Sequence, residues 1–158
     1  MTATTSQVPA LIDALITQCP NVMPDGVIVQ DGLGTDGTPG DYLYVGVGAE
    51  FGTGSSVRSA DTQQVKATLG SGRSRDETGT VVCAAYSWNG GGDQKTVRDA
   101  AYAIVAAVET LLRTSPNLGI AAGGMFDAEL GSQWLDQSSD ANGVDALIVF
   151  EIKFRARI

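Results

Sequence analysis

The 158-residue chain carries 18 Asp and Glu against 10 Lys and Arg, which gives a formal net charge of −8, and it contains no histidine. Its 43% hydrophobic and 18% charged residues are typical of one globular domain and exclude a disordered chain. The composition also excludes His-dependent nucleophiles and the clustered cations of nucleic-acid binding, and no apolar run is long enough to span a membrane.

The first predicted element is an amphipathic helix over about residues 6–19. Apolar residues repeat there at three- and four-residue steps, Ser6 is the candidate cap, Pro9 suits the first turn, and two prolines stop the helix. Two short strands are predicted next, in "GVIVQ" and "DYLYVGVG", with the turn-forming "DGLGTDGTPGD" between them. Residues 51–78 contain only one alternating piece in a polar, Gly- and Ser-rich stretch, which predicts an extended arm, loop or hairpin.

The second half of the chain gives the clearest elements. A buried strand is predicted for "TVVCAAYSW", which "NGGGD" ends, and Asp93 is placed to cap a long helix over about residues 93–114. A strand, a loop and a long final strand are predicted for "MFDAELGSQWLD", "QSSDANG" and "GVDALIVFEIKFRARI". The even positions of the final strand are apolar to the end, so we expect that face to pack under the long helix.

The element order predicts the fold class of the whole chain. A helix, strands, a second helix and two further strands indicate an α+β fold in a single domain over 1–158. We expect a mostly antiparallel mixed sheet of four to six strands, packed on one face by the two main helices.

The candidate chemical motifs do not fit the spacing that their chemistry needs. "NGGGDQKT" lacks the Gly directly before Lys that a phosphate loop requires, and Asp93 would repel phosphate at the helix start. The acidic turns lack the residue order of a calcium loop. Cys19 and Cys83 lack a CxxC spacing and are expected to be separate buried thiols. We therefore expect no enzyme activity, no cofactor and no metal.

Two further groups of side chains have structural explanations. Asp127 and Glu129 share one strand face without an obvious pocket partner, so solvent exposure is expected instead of acid–base chemistry. Core or subunit packing is favoured over ligand stacking for five aromatic residues: Tyr86, Trp88, Tyr102, Phe126 and Trp134.

From Arg73 onward, a little over half of the chain carries a family resemblance. The segments are "RSRDETGTVVCAAYSWNGGGD", "VRDAAYAIVAAVETLLRTSPNLG" and "AELGSQWLDQSSDANGVDALIVFEIKFRARI", while residues 51–72 match no family pattern. Together they resemble tail terminator proteins of long-tailed phages, in the variants common among phages of actinobacteria.

The resemblance implies a structural virion protein of the tail neck that is assembled in the host cytoplasm. Such proteins form a hexameric ring on the head-proximal end of the tail tube, stop tube polymerisation and present a joining surface to the head-side connector or stopper protein. DNA passes through the lumen without specific binding. A related neck connector or tail-completion protein, a tail tube subunit, and a small cytosolic enzyme or ligand-binding domain are the alternatives.

A ring also suggests where the charged residues lie. An acidic lining lets DNA slide, because like charges offer no binding wells. The candidate lumen- or connector-facing acids are Asp31, Asp36, Asp41, Asp136 and Asp140. The candidate contacts to a neighbouring subunit or to the tube are Arg58, Lys66, Arg73, Arg75, Lys153, Arg155 and Arg157.

Overall fold

The computed structural model describes residues 4–34, 37–48, 58–66, 74–120 and 126–158. In this part of the chain it contains two α-helices, one 3₁₀ turn and six strands. These are α1 (Val8–Gln18), the 3₁₀ turn (Cys19–Asn21), β1 (Ile28–Asp31), β2 (Tyr42–Val45), β3 (Ala60–Lys66), β4 (Arg75–Asn89), α2 (Gln94–Thr114), β5 (Phe126–Asp140) and β6 (Gly143–Arg157).

The six strands form one mixed sheet. Its path runs β1-β2-β4-β6-β5, and β3 pairs with the first half of β4 beside that path. The β1–β2 pair is parallel and every other pair is antiparallel. The longest ladder joins β4 to β6, from Asp76 opposite Arg157 to Asn89 opposite Val144. The predicted α+β class with a mostly antiparallel mixed sheet is confirmed.

Both helices pack on one face of the sheet. The apolar stripe of α2 is buried against the sheet through Ile104, Val105 and Val108, which join Leu11 and Leu15 of α1 in one core. The even positions of β6 enter this core from Val144 to Ala156, as expected. Asp93 caps α2 as predicted: its carboxylate accepts hydrogen bonds from the Lys95 backbone N–H and the Thr96 hydroxyl.

The start of α1 is held by a residue from the sheet. Gln7, not Ser6, occupies the N-cap position, so the predicted cap is displaced by one residue. The side chain of Glu77 is fully buried; its two oxygens accept the Ser6 hydroxyl at 2.5 Å and the Gln7 backbone N–H at 2.8 Å. The Ser6 hydroxyl also accepts the Val8 backbone N–H at 3.1 Å, so this local side chain and a carboxylate from β4 share the capping of α1.

The other differences concern strand lengths. β4 begins at Arg75, because residues 75–81 pair with β3 in a hairpin. The sequence predicted an extended arm, loop or hairpin for 51–78, and the described residues of this range form the hairpin. Residues 51–57 and 67–73 lie outside the described residues. The loop predicted for 137–143 is wrong for 137–140, because β5 stays paired with β6 to Asp140.

Cys19 and Cys83 are free and buried, and burial raises the pKa of both thiols to about 12.

Candidate interaction surface

The face of the sheet opposite the helices, here called the open face, divides into an apolar and a charged half. Because side chains alternate along each strand, the residues between those of the helix-side core point to this face. The apolar half contains a second cluster, in which Tyr42 and Tyr44 stack with ring centroids 5.4 Å apart. Its members are Tyr42, Tyr44, Val47, Val82, Ala84 and Val149, with Tyr86, Trp134 and Leu147 packed against them.

A groove of about 380 Å³ opens at the β2–β4 side of the apolar half, and we call it the aromatic groove. Its walls are Leu33, Gly37, Thr38, Pro39, Tyr42, Tyr44, Tyr86 and Trp88. Leu33 is 42% exposed, and Tyr86 and Trp88 are half-buried. Large side chains with one wet edge are typical of protein–protein contacts.

One carboxylate, Asp145, contacts a wall residue of the aromatic groove, and two more lie beyond it on β5. The Tyr86 hydroxyl donates to Asp145 at 3.3 Å, and the Ser138 hydroxyl donates to the other oxygen of Asp145 at 2.6 Å. Burial raises the pKa of Tyr86 to about 12, and the charges of Asp145 and Asp140 act in the same direction. Asp136 is exposed and lies opposite Leu147, the residue that also pairs with Tyr86. We call Asp136, Asp140 and Asp145 the acidic rim.

The charged half of the open face carries the cations of β6. Lys153 lies opposite Glu129 and Arg155 lies opposite Asp127 in the β5–β6 register, so each has an acidic neighbour of its own chain. Asp127 and Glu129 are exposed, as expected. Arg157 makes a two-pronged ion pair with Asp76, with N–O distances of 2.8 and 3.2 Å.

The hydrogen bonds and charge of Arg157 hold the pKa of Asp76 below its ordinary value, with a smaller contribution from Arg155. The same pair raises the pKa of Arg157. Arg157 is exposed and Asp76 is half-buried at the surface, so the contribution of the pair to stability is small and sensitive to salt. This end of β6 is therefore mixed in charge and is less basic than its sequence alone indicates.

Two cations form the last described pair of β3 and β4. Lys66 and Arg75 lie opposite each other there, and the preceding residue, Val65, is 67% exposed on the other face of the strand. Arg58, at the other end of β3, forms an exposed ion pair with Asp61 at 3.6 Å. Arg73 lies outside the described residues. We call Val65, Lys66 and Arg75 the hairpin end.

The candidate lumen acids do not share one patch. Asp31 is exposed on edge strand β1, whereas Asp136 and Asp140 are exposed on the opposite edge strand β5, four strand spacings or about 19 Å away. Asp41 is half-buried and accepts the hydroxyl of the buried Ser87 at 2.6 Å, so it has a role within the fold. Asp36 lies outside the described residues.

Sequence reasoning did not find the aromatic groove. Of the five aromatic residues expected to pack in the core or between subunits, Phe126 joins the helix-side core and Trp134 packs on the open-face cluster, while Tyr102 is 41% exposed on α2. Tyr102 is therefore not a core residue, and subunit packing stays a prediction for it. The signal for the groove was the two-residue period of "YLY" and "AYSW", which places two aromatic side chains of each strand on one face.

The described ranges contain no group of three or more His, Cys, Asp or Glu side chains that could hold a metal ion. No helix in them is both long and apolar enough to cross a membrane. No protein-family model matches the chain, and a search of characterised proteins finds no match.

Proposed function

We propose that the chain is a phage tail terminator. It forms a ring at the head-proximal end of the tail tube, stops tube polymerisation and provides the surface that the head-side connector or stopper joins. DNA crosses the lumen of this ring without specific binding, since a chain of net charge −8 repels the phosphate backbone.

One observation carries the proposal: the segments that resemble tail terminators form one contiguous unit. The "AAVETLLR" segment lies on α2, which packs on β4 and β6, the strands that carry "RDE" and "FRARI". Asp76 of the first motif and Arg157 of the second are joined by their ion pair. The segments that carry the resemblance therefore lie in contact within one folded unit, as a resemblance to a whole domain requires.

The surface chemistry also suits a ring subunit. A closed ring with identical contacts needs two different, complementary surfaces on each copy. The aromatic groove and the hairpin end differ in this way, since the first is apolar with carboxylates beside it and the second presents cations. The sheet connects these two surfaces rigidly.

The test is a tube-length assay. Purified chain is added to polymerising tail tube subunits of the same phage, and tube lengths and ends are scored by electron microscopy. We expect shorter tubes with extra density at one end only. Tubes of unchanged length with bare ends would contradict the proposal. Binding only after a different terminator has capped the tube would identify a connector instead.

A further inference from the structure

We propose that the outer face of α2 is a contact between two copies of this chain, which pair antiparallel about a two-fold axis at Ala106. The inference goes beyond the proposed ring function and does not rest on it, because a two-fold contact joins copies in pairs and cannot by itself close a larger ring. The occupant of this face is a second copy, and the argument is the charge complementarity that this pairing creates.

The middle of α2 lacks the polar side that a surface helix normally has. Residues 100–108, "AAYAIVAAV", contain no charged side chain. One side of this segment packs on the sheet through Ala101, Ile104 and Val105, while the opposite side is exposed. A helix that is apolar all round is typically buried. The outer side of α2 therefore has the composition of a surface that a partner covers.

Tyr102 is the largest side chain on this outer face, and it is 41% exposed. Ala106 lies one helical turn further on, Ala103 flanks the ring, and both alanines are exposed. Small residues beside an aromatic ring allow a second helix to approach closely and to bury the ring. The face thus has the shape that helix packing requires.

The charged residues of this face lie at its two ends. Asp99 precedes the apolar segment and Arg113 follows it, and both side chains are more than half exposed. They are about 21 Å apart along the helix, and the residue midway between them is Ala106. Each already has one partner within α2, since Asp99 pairs with Lys95 and Arg113 pairs with Glu109. An opposite charge from a second copy would extend each pair into a network.

These charges favour an antiparallel pairing about Ala106. It places Asp99 of each copy opposite Arg113 of the other, so both ends gain an attractive contact. A parallel pairing would set like charges against each other, and an axis two residues earlier would oppose Asp99 to Glu109. Side chains on a helix lean toward its start, so the Tyr102 ring lies where the guanidinium of the second copy arrives.

The size of the face determines the expected strength of the contact. α2 has 21 residues, so its outer stripe is about 31 Å long and about 10 Å wide, or roughly 300 Å² for each copy. Stable dimers bury about 800 Å² for each partner, and smaller contacts are typical of transient pairs. We therefore expect a reversible dimer at high protein concentration, which a covalent trap detects best.

The experiment uses a cysteine at the proposed axis. Ala106→Cys places the thiols of two paired copies next to each other, whereas the native Cys19 and Cys83 are buried. Oxidised glutathione accepts the two electrons and two protons that the thiols lose as their disulfide forms, and is reduced to two glutathione thiols. We expect a covalent dimer on a non-reducing gel, which disappears when reductant is added.

Thr110→Cys is the matched control on the same face. In the proposed pairing its two copies are about 12 Å apart along the helix axis, whereas a disulfide needs Cβ atoms about 4 Å apart. We expect a yield of covalent dimer about tenfold lower than that of Ala106→Cys, because only random collision joins these thiols. Equal yields from the two cysteines would overturn the inference, and so would the absence of a dimer from Ala106→Cys.

A charge exchange tests the alignment of the two helices without cysteines. Asp99→Arg sets two arginines against each other at both ends, and Arg113→Asp sets two aspartates. We expect each single variant to sediment with half the mass of the unchanged chain at concentrations where that chain pairs. In an equimolar mixture both contacts join opposite charges, so the mass should be regained. Asp13→Arg, at an exposed position of α1, changes the net charge as Asp99→Arg does and should leave the pair intact.

Thermal melting by circular dichroism shows whether each variant is folded, and recovery in the mixture shows it again for both partners. Single variants that pair normally, or a mixture that does not regain the mass, would refute the contact. The tube assay remains a separate test of the proposed function. A variant that no longer pairs through α2 and still caps tubes would confirm that the two contacts are distinct.

Discussion

At the residue scale, Glu77 links the chain terminus to the middle of the sheet. Its carboxylate is fully buried, yet its partners in the described structure are the neutral Ser6 hydroxyl and the Gln7 backbone N–H. The N-terminal end of α1 attracts negative charge, and its first N–H groups have no partners within the helix. Gln64, opposite Glu77 on β3, donates to the Thr5 carbonyl at 2.6 Å and holds the same segment.

Replacing Glu77 with Ala should therefore destabilise the fold. The change removes the acceptor for two buried or half-buried donors, and an unpaired donor of this kind costs about 2 kcal/mol. The free energy of unfolding from urea titrations measures the loss. Glu129→Ala, at an exposed site on β5, should change it by less than about 0.5 kcal/mol. Equal effects of the two substitutions would show that Glu77 does not hold α1.

The Asp76–Arg157 pair predicts an acid-dependent contribution to stability. The pKa of Asp76 is lowered in the folded chain, so the pair stabilises the fold above the unfolded-state pKa of Asp, about 4. This contribution is lost as the pH falls through the lower folded-state pKa. In Arg157→Gln we expect the pKa of Asp76 to return toward its ordinary value, as measured by NMR titration of side-chain carboxyl carbons.

Lys153→Gln is the matched control for this titration. Lys153 lies on the same face of β6 but does not contribute to the shift at Asp76, so its loss should leave that pKa unchanged. The melting temperatures of Arg157→Gln and the unchanged chain should also converge at strongly acidic pH. A difference in melting temperature that persists there would assign the role of Arg157 to packing instead of charge.

At the element scale, the β3–β4 hairpin depends on a glycine within β4. A Cβ at Gly79 would lie 2.6 Å from the Asp61 carbonyl oxygen and 2.8 Å from both the Phe154 ring and Thr62. Two of these contacts come from β3, so even the smallest side chain would push β3 away from β4. The glycine therefore permits the close approach that fixes the hairpin end.

Gly79→Ala should loosen this hairpin, at a cost of about 1–3 kcal/mol for an overpacked site. Hydrogen exchange should report it as faster exchange of the amides in residues 60–66, with α2 changed less. Gly37→Ala is the control, because nothing lies within 4 Å of its added Cβ. Unchanged protection of β3 in Gly79→Ala would show that the strands can adjust without cost.

The sequence correctly predicted those helices and strands whose apolar periodicity and capping residues lie within one segment of the chain. The stripe and cap of α2 and the alternation of β6 are of this kind, and both are confirmed. The start of β4 and the end of β5 are polar segments that lack the apolar alternation of a strand, and they become strands by pairing with β3 and β6. The Glu77 cap joins residues 70 and 71 positions apart, so no local pattern predicts it.

At the scale of the whole molecule, the two sheet faces have different roles. The helix side holds the main core, and the open face carries the apolar cluster, the aromatic groove and the mixed charges of β6. The cations were predicted individually from the sequence, but their partners were not. The neutralising positions of Asp76, Asp127 and Glu129 follow from strand register, which a single sequence does not specify.

Salt should separate assembly from folding in this molecule. The candidate ring contacts are exposed charged residues, whereas the monomer is held by a buried apolar core. Raising sodium chloride from about 0.1 M to about 1 M shortens the screening length from about 10 Å to about 3 Å. We expect the oligomer to dissociate at fixed protein concentration, with little change in the melting temperature of the monomer. An oligomer that tightens with salt would instead indicate apolar contacts alone, and Val65 and Trp88 would then be the residues to truncate.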